Sequence, residues 1–209
     1  MIVNEIHLVG VKLIQHDWIK EFTTIWMDTV RNGEFGLSNT NKLIRFYEGA
    51  TGLKTGYTST AGHCLSASAK RQGMELIAVV LHCDSSSDRF QSARTLLDYG
   101  FAGYALAQPL EGVTLAPVTV ELGRAAQVFP VPEAGEPLLI SKGTQVERTV
   151  ELPESVPAPV AQGQQLGTLR LSSGGQTLGE IPLVAEAEVP RLTWGEIFLG
   201  LLRQVCMGE

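Results

Sequence analysis

The feature that most constrains the fold is a pair of apolar runs, Gly62 to Lys70 and Met74 to Cys83, separated by Gln72-Gly73. Two strand-like runs joined through a short turn that contains glycine predict an antiparallel β-hairpin. The register set by a tight turn places four pairs opposite each other: Lys70 and Glu75, Ala67 and Ala78, Leu65 and Val80, His63 and His82.

Side chains alternate along a strand, so each face of this hairpin can be assigned separately. One face is apolar and comprises Leu65, Ala67, Ala69, Leu76, Ala78 and Val80. The other face combines Ile77, Val79 and Leu81 with Ser66 and Ser68. Because both faces are mostly apolar, we expect a central strand pair that helices cover on at least one side.

Helical periodicity occurs on both sides of the hairpin. Upstream, apolar residues at Trp18, Phe22, Ile25, Trp26 and Val30 predict a helix that stops at Asn32-Gly33. Downstream, a helix is expected from about Ser87 to Tyr99, with Ser85 and Asp88 at the spacing of a capping box and Gly100 at its end. Its buried stripe is expected to comprise Phe90, Ala93, Leu96 and Leu97.

The composition changes near Pro109, where lysine becomes rare and short β-branched runs recur between proline and glycine residues. The expected strands are Val113–Val120, Gln145–Leu152, Leu166–Leu171 and Leu178–Ala185, with a hairpin turn at Ser173-Gly174-Gly175. Short strands at this spacing predict a small all-β sandwich or barrel.

The last twenty residues predict an amphipathic helix, with its apolar side formed by Trp194, Phe198, Leu201, Leu202 and Val205. Two interpretations stay open. The helix either docks on the β domain of its own chain or lies in a membrane surface, where Trp and Phe enter the headgroup boundary.

Charge and cysteine content exclude several classes of function. The formal net charge is −6 without a basic cluster, which argues against nucleic acid as a partner. The three cysteines, Cys64, Cys83 and Cys206, form no C-x-x-C pair and indicate neither a zinc knuckle nor a disulfide framework. We expect no metal, no cofactor, no transmembrane helix and no export signal at the start of this chain.

The tripeptide Lys54-Thr55-Gly56 is the sharpest chemical feature. A lysine beside a hydroxyl presents a cation and a hydrogen-bond donor to a substrate carboxylate. Glycine allows the backbone to lie close to a ligand, and the N–H of Tyr57 can then point at a developing oxyanion.

The residues around this tripeptide resemble the D-alanyl-D-alanine carboxypeptidases of peptidase family S11, the low-molecular-mass penicillin-binding proteins. The resemblance is carried by the segments 25–33, 39–43 and 49–62, by Asp88-Arg89-Phe90 and by Asp98-Tyr99-Gly100-Phe101. It extends from about Trp18 almost to the end of the chain, and residues before about His16 are expected to lie outside it.

The resemblance implies an α+β fold: part of a penicillin-binding lobe, with an antiparallel sheet and flanking helices, then a small β-sandwich and an amphipathic helix. We therefore expect residues 1–16 to be unassigned and 17–107 to form the C-terminal part of the catalytic domain. Residues 108–189 are expected to form the β-sandwich and 190–209 the terminal helix.

The resemblance also assigns roles. Lys54 would support the charge network of the active site, Thr55 would hold the terminal carboxylate of the stem peptide, and Gly56, Tyr57 and Thr58 would complete the binding strand. The family also uses S-x-x-K for its nucleophile and S-x-N for a second base, and neither occurs in these 209 residues. The chain is therefore expected to be a C-terminal fragment that is inactive alone and exposes apolar sheet surface.

Some residues allow two interpretations. Asn39 and Asn41 are either turn residues or part of the wall of the ligand groove, and the resemblance favours the groove. Asp88 and Arg89 are expected to cap and flank a helix, with closure of the groove as the alternative. Cys64 and Cys83 are expected to be buried free thiols, and a metal site at the two hairpin histidines is disfavoured.

The resemblance implies a serine-type carboxypeptidase of peptidoglycan synthesis at the outer face of the cytoplasmic membrane. Its partners would be stem peptides ending in D-Ala-D-Ala and, for the intact enzyme, β-lactams. The alternative is a non-catalytic envelope module that binds the membrane through residues 191–209 or contacts wall-synthesis proteins. A β-lactamase is disfavoured, because such enzymes end shortly after the helix that follows their sheet.

Overall fold

A computed structural model describes residues 2–207 of the chain. The described residues fall into two compact units, one that ends at Leu106 and one that begins at Ala107.

The first unit comprises, in chain order, α1 (Ile2–Ile14), α2 (Asp17–Thr23), β1 (Met27–Val30), β2 (Phe35–Ser38), α3 (Leu43–Phe46), β3 (Ala50–Thr58), β4 (Gly62–Arg71), β5 (Met74–Cys83) and α4 (Ser86–Gly103), followed by β6 (Tyr104–Ala107). Within the described residues, β3, β4 and β5 form an antiparallel sheet in the order β3-β4-β5, and β1 and β2 form a separate hairpin.

The predicted central hairpin is confirmed as β4 and β5. Its register matches the expectation at Lys70 and Glu75, Ala67 and Ala78, and Leu65 and Val80. The predicted pairing of His63 with His82 is wrong, because the register shifts there and His63 pairs with Cys83. The extra residue on β5 is accommodated by a bulge in which His82 has a φ of 56°.

The expected core face of the hairpin is confirmed, and it packs against α4. The residues at the centre of this core are at most 1% exposed and include Leu65, Ala67, Ala69, Ala93 and Leu97. The predicted capping box is also confirmed, because the Ser85 hydroxyl accepts a hydrogen bond from the backbone N–H of Asp88 at 3.1 Å.

Two details of α4 differ from the sequence prediction. Leu96 is 48% exposed and does not belong to the buried stripe. The helix continues past Gly100 to Gly103, because Gly100 serves close packing rather than termination. A Cβ atom at Gly100 would lie 2.5 Å from Cδ1 of Leu76 on β5.

The second face of the sheet is covered in part by α1. Gly10 is buried there, and a Cβ atom on it would lie 3.3 Å from Cδ1 of Ile77. The N-terminal residues that the sequence left unassigned therefore contribute to the packing of the sheet. The apolar surface expected on this face is reduced, since Ile77 and Val79 are half-buried, while Leu8 and Val9 of α1 are exposed.

The predicted helix from Trp18 to Val30 is wrong in its second half. Helix α2 ends at Thr23, and the chain continues as strand β1. The Asn39 side chain donates hydrogen bonds to the carbonyl oxygens of Thr23 at 3.1 Å and Ile25 at 3.0 Å. A partner distant in sequence thus satisfies the carbonyl groups exposed where the helix stops.

The second unit comprises β7 (Val118–Glu121), β8 (Gln127–Val128), β9 (Pro130–Pro132), β10 (Leu138–Ser141), β11 (Glu147–Glu151), β12 (Ser155–Pro157), β13 (Gln165–Ser173), β14 (Gln176–Ala185) and α5 (Trp194–Met207). In the described residues, sheets of order β11-β13-β14-β9 and β12-β7-β8 form the predicted sandwich. The turn at Ser173-Gly174-Gly175 is confirmed, since both glycines have positive φ and Ser173 pairs with Gln176. Strand β7 covers only the end of the predicted run from Val113.

The terminal helix α5 begins with a capping box. Glu196 accepts a hydrogen bond from the backbone N–H of Thr193 at 2.7 Å, and its own N–H donates to the Thr193 hydroxyl at 3.4 Å. The Thr193 hydroxyl also donates to the Glu196 carboxylate at 2.7 Å, and this bond, followed by the one from the Thr193 backbone N–H and by the nearby Arg124, holds the pKa of Glu196 below its ordinary value. Within the second unit, the apolar side of α5 is exposed, with Trp194 at 88% and Val205 at 82%. Across residues 2–207, each helix is too short or too polar to cross a membrane.

Candidate active site

The Lys54-Thr55-Gly56 tripeptide lies on β3, which is an edge strand of the sheet formed by the described residues. Alternation along the strand exposes Lys54 and buries Thr55, whose exposed fraction is 8%. The Lys54 amino group donates a hydrogen bond to the carbonyl oxygen of Thr55 at 2.6 Å. The strand thus presents a cation at the surface beside an inward-facing hydroxyl.

The Thr55 hydroxyl contacts Thr40, a residue outside the set of predicted site residues. The two Oγ1 atoms lie 2.7 Å apart, an ordinary distance for a hydrogen bond between hydroxyl groups. The sequence offers one hint of this role, since Thr40 lies in a polar loop between two asparagines. It does not show that this loop contacts β3.

Asn39 and Asn41 hold this loop in place. Asn41 is 1% exposed, and its side chain donates to the carbonyl oxygen of Gly52 at 2.9 Å while accepting from the N–H of Leu43 at 3.2 Å. The Asn39 side chain accepts from the N–H of Asn41 at 2.9 Å, in addition to its bonds at the end of α2. In the described structure, both amides are thus engaged with backbone groups next to the strand.

Tyr57 and Thr58 occupy the outer end of β3. The Tyr57 side chain is 62% exposed, and its ring centroid lies 4.4 Å from that of His63 on β4. Nδ1 of His63 is buried and has no hydrogen-bond partner in the described part of the chain. The Thr58 hydroxyl accepts from the N–H of Ala61 at 2.9 Å, so it stabilises the turn that follows the strand.

Arg89 connects α4 to the tripeptide. Its guanidinium donates to the carbonyl oxygen of Gly56 at 3.2 Å, to that of Cys64 at 3.5 Å and to the Ser86 hydroxyl at 3.2 Å. The residue is only 8% exposed. The sequence predicts that Arg89 flanks a helix cap, whereas its spacing of four residues from the buried Ala93 indicates an arginine that faces the core.

A second polar network fixes the other end of β3. The Lys20 amino group lies 2.8 Å from Glu75, and the Thr51 hydroxyl lies 2.8 Å from both Glu75 and the buried Ser68. The hydrogen bond with Glu75 is the main cause that raises the pKa of Lys20 above its ordinary value. This network ties α2 to the sheet and was not foreseen from the sequence.

The described residues hold no cluster of three or more His, Cys, Asp or Glu side chains arranged for a metal ion. Cys64 and Cys83 are free and half-buried, and burial raises the pKa of the Cys83 thiol. The site therefore offers hydroxyl, ammonium and backbone groups for polar recognition.

Comparisons with known proteins place both units among the penicillin-binding proteins. Residues 4–85 match the family described as D-alanyl-D-alanine carboxypeptidase, peptidase S11, and residues 137–191 match the C-terminal domain of penicillin-binding protein 5. The chain belongs to the D-alanyl-D-alanine carboxypeptidase family. The match begins at residue 4, so the expectation that residues before His16 lie outside the family resemblance is wrong.

Individual relatives agree with this assignment. The chain is 35% identical to D-alanyl-D-alanine carboxypeptidase DacF of Bacillus subtilis, over 88% of this chain and 49% of the relative. It is 32% identical to DacC of Escherichia coli, over 66% of this chain and 36% of the relative. The structure of penicillin-binding protein 5 from Haemophilus influenzae superimposes with a TM-score of 0.65 at 28% identity, covering 82% of this chain and 51% of that protein. The chain thus spans about half the length of these relatives, or less.

Proposed function

We propose that this chain forms the Lys-Thr-Gly side of the active site of a serine-type D-alanyl-D-alanine carboxypeptidase of peptidoglycan synthesis. Such an enzyme removes the terminal D-Ala of the stem pentapeptide through an acyl-enzyme. The observation that carries the proposal is the edge strand β3, on which Lys54 and Thr55 are consecutive residues and the hydroxyl of Thr40 lies against that of Thr55.

The proposed roles follow from the chemistry of these groups. The hydroxyl of Thr55 donates to the terminal carboxylate of the substrate, and the ammonium of Lys54 adds positive potential beside it. Gly56 keeps the strand free of a side chain where the substrate backbone lies, and the N–H of Tyr57 stabilises the oxyanion. Thr58, Asn39 and Asn41 shape the binding strand and the loop next to it.

The nucleophile and the second base are supplied by S-x-x-K and S-x-N segments, which do not occur in the 209 residues. We therefore expect this chain alone to recognise a D-Ala-D-Ala terminus without forming an acyl-enzyme, and the intact enzyme to be acylated by β-lactams. Incubation with a fluorescent penicillin tests the first statement. No covalent label is expected, and a stoichiometric adduct would contradict it.

The binding role is tested by the affinity of the full chain for the dipeptide D-alanyl-D-alanine. Thr55→Val preserves the shape of the residue and removes its hydroxyl, so we expect it to weaken binding about tenfold. Thr177→Val, at an exposed position on β14, is the matched control and should bind like the wild type. Equal affinities for Thr55→Val and the wild type would reject the proposed role of the strand.

A second function is favoured by the exposed apolar side of α5. We propose that residues 191–209 bind a membrane surface and keep the protein at the outer face of the cytoplasmic membrane. The side chains Trp194, Phe198 and Leu201 are all more than half exposed in the second unit, and burial in lipid would remove this apolar surface from water. Since α5 contains a single basic residue, Arg203, binding should depend on apolar burial rather than on attraction to anionic lipid.

Co-sedimentation with vesicles of phosphatidylethanolamine and phosphatidylglycerol tests this function. The double variant Phe198→Ser, Leu201→Ser should lose most of the bound fraction, whereas Gln204→Ser should retain it. Salt at physiological concentration should change the bound fraction little. Equal sedimentation of the double variant and the wild type would contradict membrane binding by α5. It would favour the alternative of an envelope module that contacts wall-synthesis proteins.

A further inference from the structure

The three side chains of the loop Asn39-Thr40-Asn41 have different roles. The amides of Asn39 and Asn41 are occupied by hydrogen bonds to backbone groups. The hydroxyl of Thr40, between them, is instead directed at Thr55 across a gap of 2.7 Å. Two anchored residues thus fix the position of one hydroxyl against the proposed carboxylate-binding residue.

The protons of the two hydroxyls have two possible arrangements. When Thr40 donates to Thr55, the proton of Thr55 is free to be donated to a ligand. When Thr55 donates to Thr40, that proton is used within the pair. A carboxylate has acceptors alone, so its binding requires the first arrangement, and the hydrogen bond received by Thr55 polarises its O–H and makes it a stronger donor.

We propose that Thr40 is a positioning residue that orients and polarises the Thr55 hydroxyl for a ligand with a free terminal carboxylate. This inference rests on the proposed function of Thr55 and adds a selectivity to it. A terminal carboxamide carries both donors and acceptors, so it binds either arrangement of the pair. Loss of the Thr40 hydroxyl should therefore weaken binding of the carboxylate ligand more than that of its amide.

The test compares D-alanyl-D-alanine with D-alanyl-D-alaninamide as ligands of the full chain, by titration followed in the NMR spectrum. Thr40→Val should weaken dipeptide binding about threefold to tenfold and change amide binding less than about twofold. Thr40→Ser restores a hydroxyl and should return the dipeptide affinity to within about twofold of the wild type. A purely structural role of Thr40 would affect both ligands alike.

The outcomes separate this inference from the proposed function. If Thr40→Val binds both ligands like the wild type while Thr55→Val loses the dipeptide, the role of Thr40 is overturned and that of Thr55 stands. If the wild type does not bind the dipeptide, or if Thr55→Val binds it unchanged, the proposed function fails and the inference fails with it.

A second measurement examines the hydroxyl contact without any ligand. In urea unfolding, the effects of Thr40→Val and Thr55→Val should be non-additive, because either substitution removes the same hydrogen bond. Strictly additive effects would show that the two hydroxyls do not interact and would overturn the inference.

Discussion

Nη1 of Arg89 lies 3.2 Å from the carbonyl oxygen of Gly56, so the first turn of α4 holds the end of the Lys-Thr-Gly strand. The same guanidinium reaches the carbonyl oxygen of Cys64 on the neighbouring strand. Helix α4, through the almost fully buried Arg89, therefore contributes to the position of the edge strand that carries the proposed ligand site.

Replacing Arg89 should weaken both the fold and the site. Arg89→Ala leaves two carbonyl groups without their charged donor, and we expect the free energy of unfolding to fall by about 2–4 kcal/mol. D-alanyl-D-alanine binding should weaken as well, because Gly56 loses its anchor. Urea unfolding and ligand titration measure the two effects, with exposed Gln91→Ala on the same helix as the control. An unchanged free energy of unfolding for Arg89→Ala would show that these hydrogen bonds do not hold the strand in place.

Asn41 is expected to be a stability determinant of the first unit. Its amide is buried, donates a hydrogen bond to the carbonyl oxygen of Gly52 and accepts one from the N–H of Leu43. Asn41→Ala should lower the free energy of unfolding by about 2–3 kcal/mol, because it leaves a donor and an acceptor of the backbone unpaired. The exposed Asn4, changed to Ala, should have little effect. Similar midpoints of urea unfolding for the two variants would contradict the assignment.

Gly100 and Gly103 provide a matched pair on one helix. A Cβ atom at Gly100 would lie 2.5 Å from Leu76, whereas at Gly103 it would meet nothing within 4 Å. Gly100→Ala should therefore destabilise the first unit by about 1–3 kcal/mol. Gly103→Ala, at the end of the helix, should be neutral or slightly stabilising. Thermal unfolding distinguishes them, and the opposite order would show that α4 packs differently on β5.

The stability of the first unit should fall in alkali. Burial, assisted by the hydrogen bond to Asp98, raises the pKa of Tyr47 from 10.0 to about 12. Since the folded state favours the protonated phenol, the stabilisation is complete below pH 10 and is lost as the pH rises towards 12. The raised pKa of Lys20 acts in the same direction, because its ion pair with Glu75 is lost as the amine deprotonates.

A pH series of urea unfolding checks this prediction. Tyr47→Phe should reduce the decline in stability between about pH 10 and 12, whereas Tyr99→Phe, at a residue that is 71% exposed, should leave the decline unchanged. Identical pH dependence for Tyr47→Phe and the wild type would assign the alkaline loss to other groups.

The sequence predicted those parts of the molecule that local rules determine. The Gln72-Gly73 turn set the register of β4 and β5 up to Leu65, and Ser85 marked the start of α4. The prediction failed where distant residues decide. The end of α2 depends on Asn39, which lies well outside the helix. The bulge at His82 shifts the strand pairing, and no glycine or other turn residue at that position indicates it in the sequence.

The candidate site shows the same division. Lys54, Thr55 and Gly56 form a recognisable motif in the sequence, and the proposal for their chemistry follows from their residue types. Thr40 and Arg89 join them through contacts across 15 and 33 residues of chain, which no periodicity encodes. The sequence of α5 left two alternatives open, docking on the β domain or lying in a membrane surface, because amphipathicity alone does not specify what the helix covers.

The Lys-Thr-Gly strand is proposed to recognise a D-Ala-D-Ala terminus. The most direct measurement is a map of backbone amide shifts in the uniformly ¹⁵N-labelled chain during titration with D-alanyl-D-alanine. Recognition by this strand predicts saturable shifts that are largest at Thr40, Thr55, Gly56 and Tyr57, with the amides of β13 and β14 unmoved. Absence of saturable shifts on β3, or a maximum elsewhere in the chain, would contradict it.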